Sequence, residues 1–262
     1  MEVTVNGARI HYEREGEGMP VVFLHAGVAD SRMWQPQVAE FAKHFDVIRP
    51  DMRGFGKSEL PAAPWSPYAD LYGLVEALEL KPVHLVGCSM GGGLAIDFAL
   101  DHPERVSRLV IVDGGPNGQP DNPRYDHLFA EVEAADKAGD HVALNEAEAN
   151  LWLDGPYRPR GYVRQELRDL FLDMNGGNMD NDWSSAPMQH LDPPAFERLS
   201  EITARTLIVV GAQDLEPVRE TADLLASSIK GSRKVVIHDA AHLPSLEHPE
   251  EFNRIVLDFL SS

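Results

Sequence analysis

A serine held between two glycines is the group in this sequence with the clearest chemical potential. The segment Gly87-Cys88-Ser89-Met90-Gly91 follows the apolar run Val83–Val86 and precedes a helix-like run over residues 91–99. A Gly-x-Ser-x-Gly at a sharp strand-to-helix turn exposes the serine hydroxyl to a base and places backbone N–H groups near the oxyanion that forms. A side chain at either glycine is expected to collide with the neighbouring helix or strand. The pattern therefore predicts that Ser89 is a nucleophile.

A base and an orienting acid follow the serine in the order Ser, Asp, His. Asp214 comes just after the apolar run Thr206–Val210, and His242 comes after Lys234–Ile237. Side chains beyond the carboxyl ends of strands meet at one edge of an open α/β sheet. We therefore expect His242 to act as the base for Ser89, with Asp214 as a candidate for the acid that orients it.

Two other residues compete for roles in this site. Asp113 follows the apolar run Val110–Val112, so it also lies at a strand end and is an alternative acid for His242. Cys88 precedes the serine, and we expect its side chain to point into the fold because neighbouring residues in an extended segment point in opposite directions. The choice of the acid therefore stays open at this point.

The elements that must position these residues are strands alternating with helices. Strand-like apolar runs occur at residues 21–24, 46–48, 83–86, 108–112, 206–210 and 234–237. Strands that alternate with helical patterns indicate a mostly parallel sheet with helices on both faces. Before them, Val3–Tyr12 has an Asn6-Gly7 turn between alternating runs, which predicts an antiparallel hairpin. The sequence therefore predicts an α/β fold with a mixed sheet.

The segment from about 115 to 196 interrupts this alternation. It contains helical patterns broken by Pro and Gly and no strand-like run, whereas connections in α/β units normally take only a few residues. We expect a helical cap inserted into one domain that spans residues 1–262. The core would then comprise about 1–114 and 197–262.

Composition excludes several classes of partner and site. The formal net charge of −19 argues against nucleic-acid and anionic-membrane partners, because both present phosphates. The single cysteine cannot form an internal disulfide, and the first residues have neither a basic start nor an apolar core typical of a leader. The histidines lack metal-ligand spacing. We expect a cytoplasmic protein without a metal, and the oligomeric state is not predictable.

On these motifs the chain resembles the α/β-hydrolase fold superfamily. The resemblance rests on the elbow at Ser89, on Asp214 and His242, on Leu24-His25-Ala26-Gly27 after the third strand, and on Asp51–Ser58 after the fourth. Within the superfamily the chain looks most like small bacterial serine esterases, 3-oxoadipate enol-lactonase-like proteins and cofactor-free haloperoxidase-like hydrolases.

The resemblance implies a role for each matching residue. Ser89 would be the nucleophile, Asp214 the orienting acid and His242 the base. Met90, which follows the nucleophile, and Gly27 would donate the two oxyanion N–H groups, although Ala26 stands where many relatives have glycine. No cofactor is implied.

The predicted activity is hydrolysis of a carboxylic ester or lactone of a small organic molecule through an acyl-enzyme. The alternatives are C–C bond hydrolysis of diketone-like substrates, a haloperoxidase or perhydrolase reaction, and a ligand-binding, receptor-like homologue without activity. The cap would shape the pocket, and its candidate lining residues are Trp152, Tyr157, Met179 and Trp183. Each of them could instead pack the cap onto the core.

Overall fold

One eight-stranded sheet organises the chain. The computed structural model describes all residues, 1–262. The strands are β1 Glu2–Val5, β2 Ala8–Glu15, β3 Met19–Leu24, β4 Phe45–Pro50, β5 Val83–Cys88, β6 Val106–Val112, β7 Arg205–Gly211 and β8 Arg233–Ile237. Their spatial order is β1-β2-β4-β3-β5-β6-β7-β8.

The first two strands form the predicted hairpin. Asn6 and Gly7 connect them with positive φ values of 46° and 78°, which is the conformation that a two-residue hairpin turn needs. β2 then pairs antiparallel with β4, and every later neighbour in the sheet is parallel. The predicted fold class, an α/β-hydrolase fold with an antiparallel amino-terminal hairpin, is confirmed.

Nine α-helices accompany the sheet. They are α1 Gln35–Phe41, α2 Pro67–Ala77, α3 Met90–Asp101, α4 Ala130–Ala138, α5 His141–Glu148, α6 Gln165–Asn178, α7 Glu216–Ser228, α8 Pro244–Glu247 and α9 Pro249–Ser261. A π-helical segment, Ala149–Asp154, follows α5 directly. None of the helices has the length and apolar character that crossing a membrane requires.

The core lies on both faces of the sheet. Alternate residues of a strand point to opposite faces, and in β6 Leu109 and Ile111 join one apolar cluster while Val110 and Val112 join the other. Helices α2, α3 and α7 cover the first face, and α1 and α9 cover the second. Because both faces are buried, the central strands have nearly continuous apolar sequences.

Between β6 and β7 the chain forms helices and no strand. This segment contains α4, α5, the π-helical segment and α6. Leu153 of the π-helical segment and Phe171 of α6 are buried in the cluster that α1 and α9 cover. These two elements therefore pack on the second face, whereas Leu191 and Leu199, later in the segment, belong to the cluster on the first face. Its boundaries as a separate cap stay a prediction.

The topology brings the chemically interesting residues to one edge. Parallel strands β5, β6, β7 and β8 lie side by side, so their carboxyl ends face the same way. Ser89 follows β5, Asp113 follows β6, Asp214 lies just beyond β7 and His242 lies in the loop after β8. Four residues that are far apart in sequence thus meet above neighbouring strands.

Candidate active site

Ser89 occupies a strained turn between β5 and α3. Its backbone has φ 52° and ψ −115°, a region that residues other than glycine rarely adopt. A Cβ on Gly87 would overlap the carbonyl group of Gly91, and a Cβ on Gly91 would overlap the carbonyl oxygen of Leu24. The turn is therefore tight enough that both glycines are needed, and the serine projects from its apex.

His242 is held by Asp214 in the carboxylate-to-imidazole arrangement that a general base requires. His242 Nδ1 lies 2.7 Å from Asp214 Oδ2, and both side chains are buried. The other oxygen of Asp214 accepts the backbone N–H of Leu215 at 2.7 Å. Because the carboxylate accepts from Nδ1–H, the Nε2 of a neutral His242 carries the lone pair and can accept a proton.

Ser89 and His242 line the same cavity, and no hydrogen bond joins the serine hydroxyl to the imidazole ring. Such bonds are often long without substrate and tighten in the complex. The arrangement places a serine hydroxyl and an imidazole at one cavity, with the Asp214 carboxylate bonded to the other side of the imidazole.

Asp113 lies beside this pair without bonding to the histidine. Its Oδ1 accepts the N–H of Gly211 at 2.9 Å, and its Oδ2 is buried without an assigned partner. Burial, followed by the negative charge of Asp214, raises the pKa of Asp113 well above its usual range. The protonated form of Asp113 is thereby favoured, and in that form its O–H can donate to Asp214.

Asp113, Asp214 and His242 also form a cluster whose potential ligand atoms lie within 4.8 Å of one another. The direct bond between Asp214 and His242 already occupies one atom of each residue. Burial also favours the protonated form of Asp113, and metal ligands must be deprotonated. We therefore assign no metal to this cluster.

Two backbone N–H groups near Ser89 are free to bind an oxyanion. Gly27 lies next to Met90, as shown by the 3.7 Å that would separate a Cβ on Gly27 from the Met90 Cβ. The N–H of Gly27 donates to no protein acceptor. Met90 is the first residue of α3, where N–H groups have no acceptor within the helix. By contrast, the N–H of Ala26 points at Met33 Sδ, 3.3 Å away. The free pair is thus Gly27 and Met90.

His25 joins two loops near this pair. Its Nδ1 donates to the carbonyl oxygen of Ala26 at 2.8 Å, and its Nε2 accepts the N–H of Met52 at 2.9 Å. Burial lowers the pKa of His25, so the ring is neutral. Both ring nitrogens are occupied, and His25 fixes the loop that carries Gly27.

Cys88 is fully buried and points away from the cavities that contain Ser89. Its Sγ lies 3.6 Å from the carbonyl oxygen of His242. Burial raises the pKa of the Cys88 thiol well above its usual value. Because the thiolate is the nucleophilic form, this residue cannot compete with Ser89.

Two cavities, each of about 270 Å³, meet at Ser89. The first extends along α2 and α3 and is mainly apolar, with Leu24, Leu71 and Leu94 among its lining residues. The second contains His242 and Trp152. A bound molecule can therefore extend from the serine in two directions.

Only one of the four predicted cap contacts lies in these cavities. Trp152 lines the second cavity, and its ring centroid is 4.4 Å from that of His242. Trp183, Tyr157 and Met179 line neither cavity. For these three residues the prediction of pocket lining does not agree with the geometry.

Trp183 and Tyr157 make other contacts instead of lining the cavities. Trp183 packs at an inclination of 45° against Phe55 in the loop after β4, with ring centroids 5.1 Å apart. Tyr157 is 51% exposed and lies against the guanidinium of Arg219. These contacts correspond to the packing alternative that the sequence left open.

Sequence reasoning also missed Asp97 and Asn117, two polar residues of the first cavity. A signal for Asp97 was present, since it is the only charged residue within the apolar run Met90–Leu100 and lies eight residues after Ser89. That spacing puts the two residues on one face of a helix.

The segment between β6 and β7 also holds the His242 loop. The N–H of His242 donates to the carbonyl oxygen of Trp152 at 3.2 Å. Arg158 bonds Glu247 at 2.6 Å and the carbonyl oxygen of Asp239 at 2.9 Å, while Glu247 accepts the N–H of Ala241 at 2.9 Å. The side chains of Arg158 and Glu247 are both buried, so this ion pair is shielded from water.

Comparison with known proteins agrees with this architecture. The model of the alpha/beta hydrolase fold family matches residues 19–249. A 2-hydroxymuconate semialdehyde hydrolase from Pseudomonas sp. (strain CF600) is 30% identical over 280 aligned positions, which cover 99% of this chain and 93% of that protein.

Two solved structures are similar over nearly their whole length. The enol-lactonase from Burkholderia xenovorans LB400 has a TM-score of 0.80 and 27% identity, with 100% of both chains covered. An esterase from Exiguobacterium antarcticum has a TM-score of 0.80 and 26% identity, with 98% of this chain and 97% of that chain covered. The similar proteins thus include a lactonase, an esterase and a hydrolase of a semialdehyde.

Proposed function

Because this chain belongs to the alpha/beta hydrolase fold family, we propose that it is a serine hydrolase that cleaves a carboxylic ester or lactone of a small organic molecule through an acyl-enzyme. The observation that carries the proposal is the 2.7 Å bond between Asp214 and His242 in a cavity that also contains Ser89 on its strained turn.

In this mechanism the Ser89 hydroxyl attacks the carbonyl carbon while His242 Nε2 takes its proton. Asp214 stabilises the imidazolium that results. The N–H groups of Met90 and Gly27 bind the oxyanion of the tetrahedral intermediate. The C–O bond then breaks, His242 returns the proton to the leaving alkoxide, and water releases the acid by the same steps.

The two cavities would divide the substrate. His242 lines the second cavity and is absent from the first. Since the histidine must protonate the leaving oxygen, the second cavity would receive the alcohol part. The first cavity would then receive the acyl chain.

The helical segment at about 115–196 would act as a specificity cap on one domain of residues 1–262. Its contribution to the cavities includes Trp152 and Phe129 in the second and Met188 and His190 in the first. The rest of the proposed machinery, Ser89, Asp214 and His242, lies outside this segment.

The Pseudomonas relative favours a second candidate function. That protein is named for hydrolysis of 2-hydroxymuconate semialdehyde. The same serine, histidine and aspartate could hydrolyse a C–C bond next to a carbonyl group in a small diketone-like substrate. The two candidates differ in the bond that breaks and share the catalytic residues.

A substrate panel distinguishes them. One preparation is assayed with p-nitrophenyl esters of increasing chain length, with lactones, and with a ring-cleavage diketone. We expect the highest kcat/KM for an ester or lactone. Higher kcat/KM for the diketone would assign the second function. No turnover together with no labelling by a fluorophosphonate would indicate a ligand-binding protein instead.

Trp152 is expected to affect binding more than bond breaking. In Trp152→Ala the loss of a large apolar surface beside His242 should raise KM about tenfold at nearly constant kcat, because the contact exists equally in the ground state and the transition state. Steady-state kinetics with the best ester measures both constants.

Tyr157→Ala is the matched control, since it removes an aromatic ring that lines neither cavity. Its KM should equal that of the wild type. A Trp152→Ala variant with unchanged KM and a collapsed kcat would show that the tryptophan positions His242 and does not bind substrate.

A further inference from the structure

One face of α3 connects the nucleophile with a buried acid. Ser89 caps the helix, and Gly93 and Asp97 follow at spacings of four and eight residues. All three residues line the first cavity, because residues four apart lie on the same side of a helix. Gly93 has no side chain to obstruct the path. At about 1.5 Å per residue, Asp97 lies about 12 Å from Ser89 along the helix axis.

Asp97 retains unused capacity to accept hydrogen bonds. It is 3% exposed, and its Oδ2 accepts from Asn117 Nδ2 at 2.6 Å. Its Oδ1 has no partner. The two oxygens exchange by rotation about the last side-chain torsion, which is broad for aspartate. Burial raises the pKa of Asp97 to about 6, so the group is ionised and can only accept at pH 7.

The other charged side chains of the cavity wall are already paired. Arg53 bonds Asp70 through two contacts of 2.6 and 2.9 Å. Asp51 accepts the N–H groups of Ser31 and Lys57, both at 2.9 Å. Asp97 has a single hydrogen-bond donor and forms no ion pair within 4 Å, although the charges of His190 and Arg198 lower its pKa from a greater distance. It is therefore the carboxylate of this wall that is best able to bind a donor from a ligand.

We propose that Asp97 is a specificity-determining residue that accepts a hydrogen bond from a hydroxyl group near the far end of the acyl chain. This inference rests on the proposed function. A hydroxyl brings one donor at a low desolvation cost, whereas an ammonium brings a charge and three N–H groups into a mainly apolar cavity. A carboxylate would be repelled by Asp97.

Chain length follows from the helix geometry. An extended chain advances by about 1.2 Å per bond, so the hydroxyl of an 8-hydroxyoctanoyl group lies about 10 Å from the carbonyl carbon, and a hydrogen bond of about 2.8 Å covers the remaining distance. A hydroxyl on the carbon next to the carbonyl cannot reach Asp97. Octanoyl esters therefore supply matched probes.

The experiment compares kcat/KM for p-nitrophenyl esters of octanoate, 8-hydroxyoctanoate, 2-hydroxyoctanoate and 8-aminooctanoate. The wild type should prefer the 8-hydroxy ester to the octanoate by about 10- to 100-fold, as expected for a buried hydrogen bond to a charged group. The 2-hydroxy ester should gain no such advantage. In Asp97→Leu the preference should reverse in favour of octanoate.

Controls separate the subsite from folding and from the reaction itself. Asp97→Asn keeps the size of the side chain and replaces Asp97→Leu as the test if the leucine variant does not fold. It should also lose most of the preference for the 8-hydroxy ester. Asp101 lies on the same helix, but its side chain is partly exposed and paired with His102. Asp101→Asn should therefore retain the preference for the 8-hydroxy ester. Binding of methyl 8-hydroxyoctanoate to Ser89→Ala, measured by calorimetry, tests the contact without turnover.

The outcomes are distinct. Equal kcat/KM for octanoate and 8-hydroxyoctanoate in the wild type would overturn the subsite while leaving the esterase function intact. A preference for the 8-amino ester would overturn the assignment to a hydroxyl. No turnover of any ester or lactone would refute the proposed function. Calorimetry on Ser89→Ala and on the double variant with Asp97→Leu would then decide the subsite alone.

Discussion

Ser89→Ala is expected to lower kcat by about a million-fold, because the covalent step disappears while the oxyanion N–H groups and the cavities remain. The same change should abolish labelling by a fluorophosphonate. The backbone of this turn is set by Gly87 and Gly91, so the smaller side chain should not disturb the fold. Kinetics with the best ester and intact-protein mass spectrometry measure the two effects.

Cys88→Ala provides the control at the neighbouring position. Its buried thiol has a raised pKa and does not face the cavities, so this variant should still be labelled on Ser89. Peptide mapping must place the adduct on the serine. An adduct on Cys88, or full activity in Ser89→Ala, would refute the assignment of the nucleophile.

Asp214→Asn should produce the second-largest loss, about 10⁴-fold in kcat. The amide removes the negative charge that stabilises the His242 imidazolium. Its N–H₂ group can also donate to Nδ1, which favours the tautomer with its proton on Nε2, where the serine proton must go. The measurement is kcat at a fixed pH on the best ester, with folding checked by circular dichroism.

Asp113→Asn is a nearly isosteric control, because Asp113 follows β6, the strand next to the one that precedes Asp214. Because burial favours the protonated form of Asp113, an amide can replace both of its functions, accepting from Gly211 and donating towards Asp214. The loss in kcat should therefore be far smaller than for Asp214→Asn. The opposite ranking would make Asp113 the acid that serves His242.

The fold was predictable because the central strands are buried on both faces. The run at 83–86 corresponds to β5, and the run at 234–237 corresponds to β8, each extended by only one or two residues in the structure. The Asn6-Gly7 hairpin was equally predictable, since its turn requires residues that tolerate positive φ. Local patterns were sufficient for these elements.

The choice between Asp113 and Asp214 could not be made from local sequence. Both residues follow apolar strands, and β6 and β7 are neighbours in the sheet, so both carboxyl groups reach the same edge. The bond from His242 to Asp214 depends on the conformation of the loop after β8. That conformation is fixed by contacts with residues about 90 positions earlier in the chain.

The pocket walls were the least predictable part of the site. Trp183 and Trp152 are both tryptophans of the same helical segment, yet one packs against Phe55 and the other lies beside His242. Asp97 carried a detectable signal because a charge within an apolar helix requires an explanation. Long-range packing, which no local pattern contains, decides between pocket and core.

The ion pair of Arg158 and Glu247 limits which segments can be exchanged between relatives to change substrate selectivity. The segment between β6 and β7 carries Arg158, while Glu247 is the last residue of α8 and accepts the N–H of Ala241, next to His242. A chimera that imports this segment alone would leave Glu247 buried without its cation and would remove one support of the general base. The transferable unit is therefore discontinuous in sequence. It includes the inserted helices together with the donor residues that correspond to 239–247.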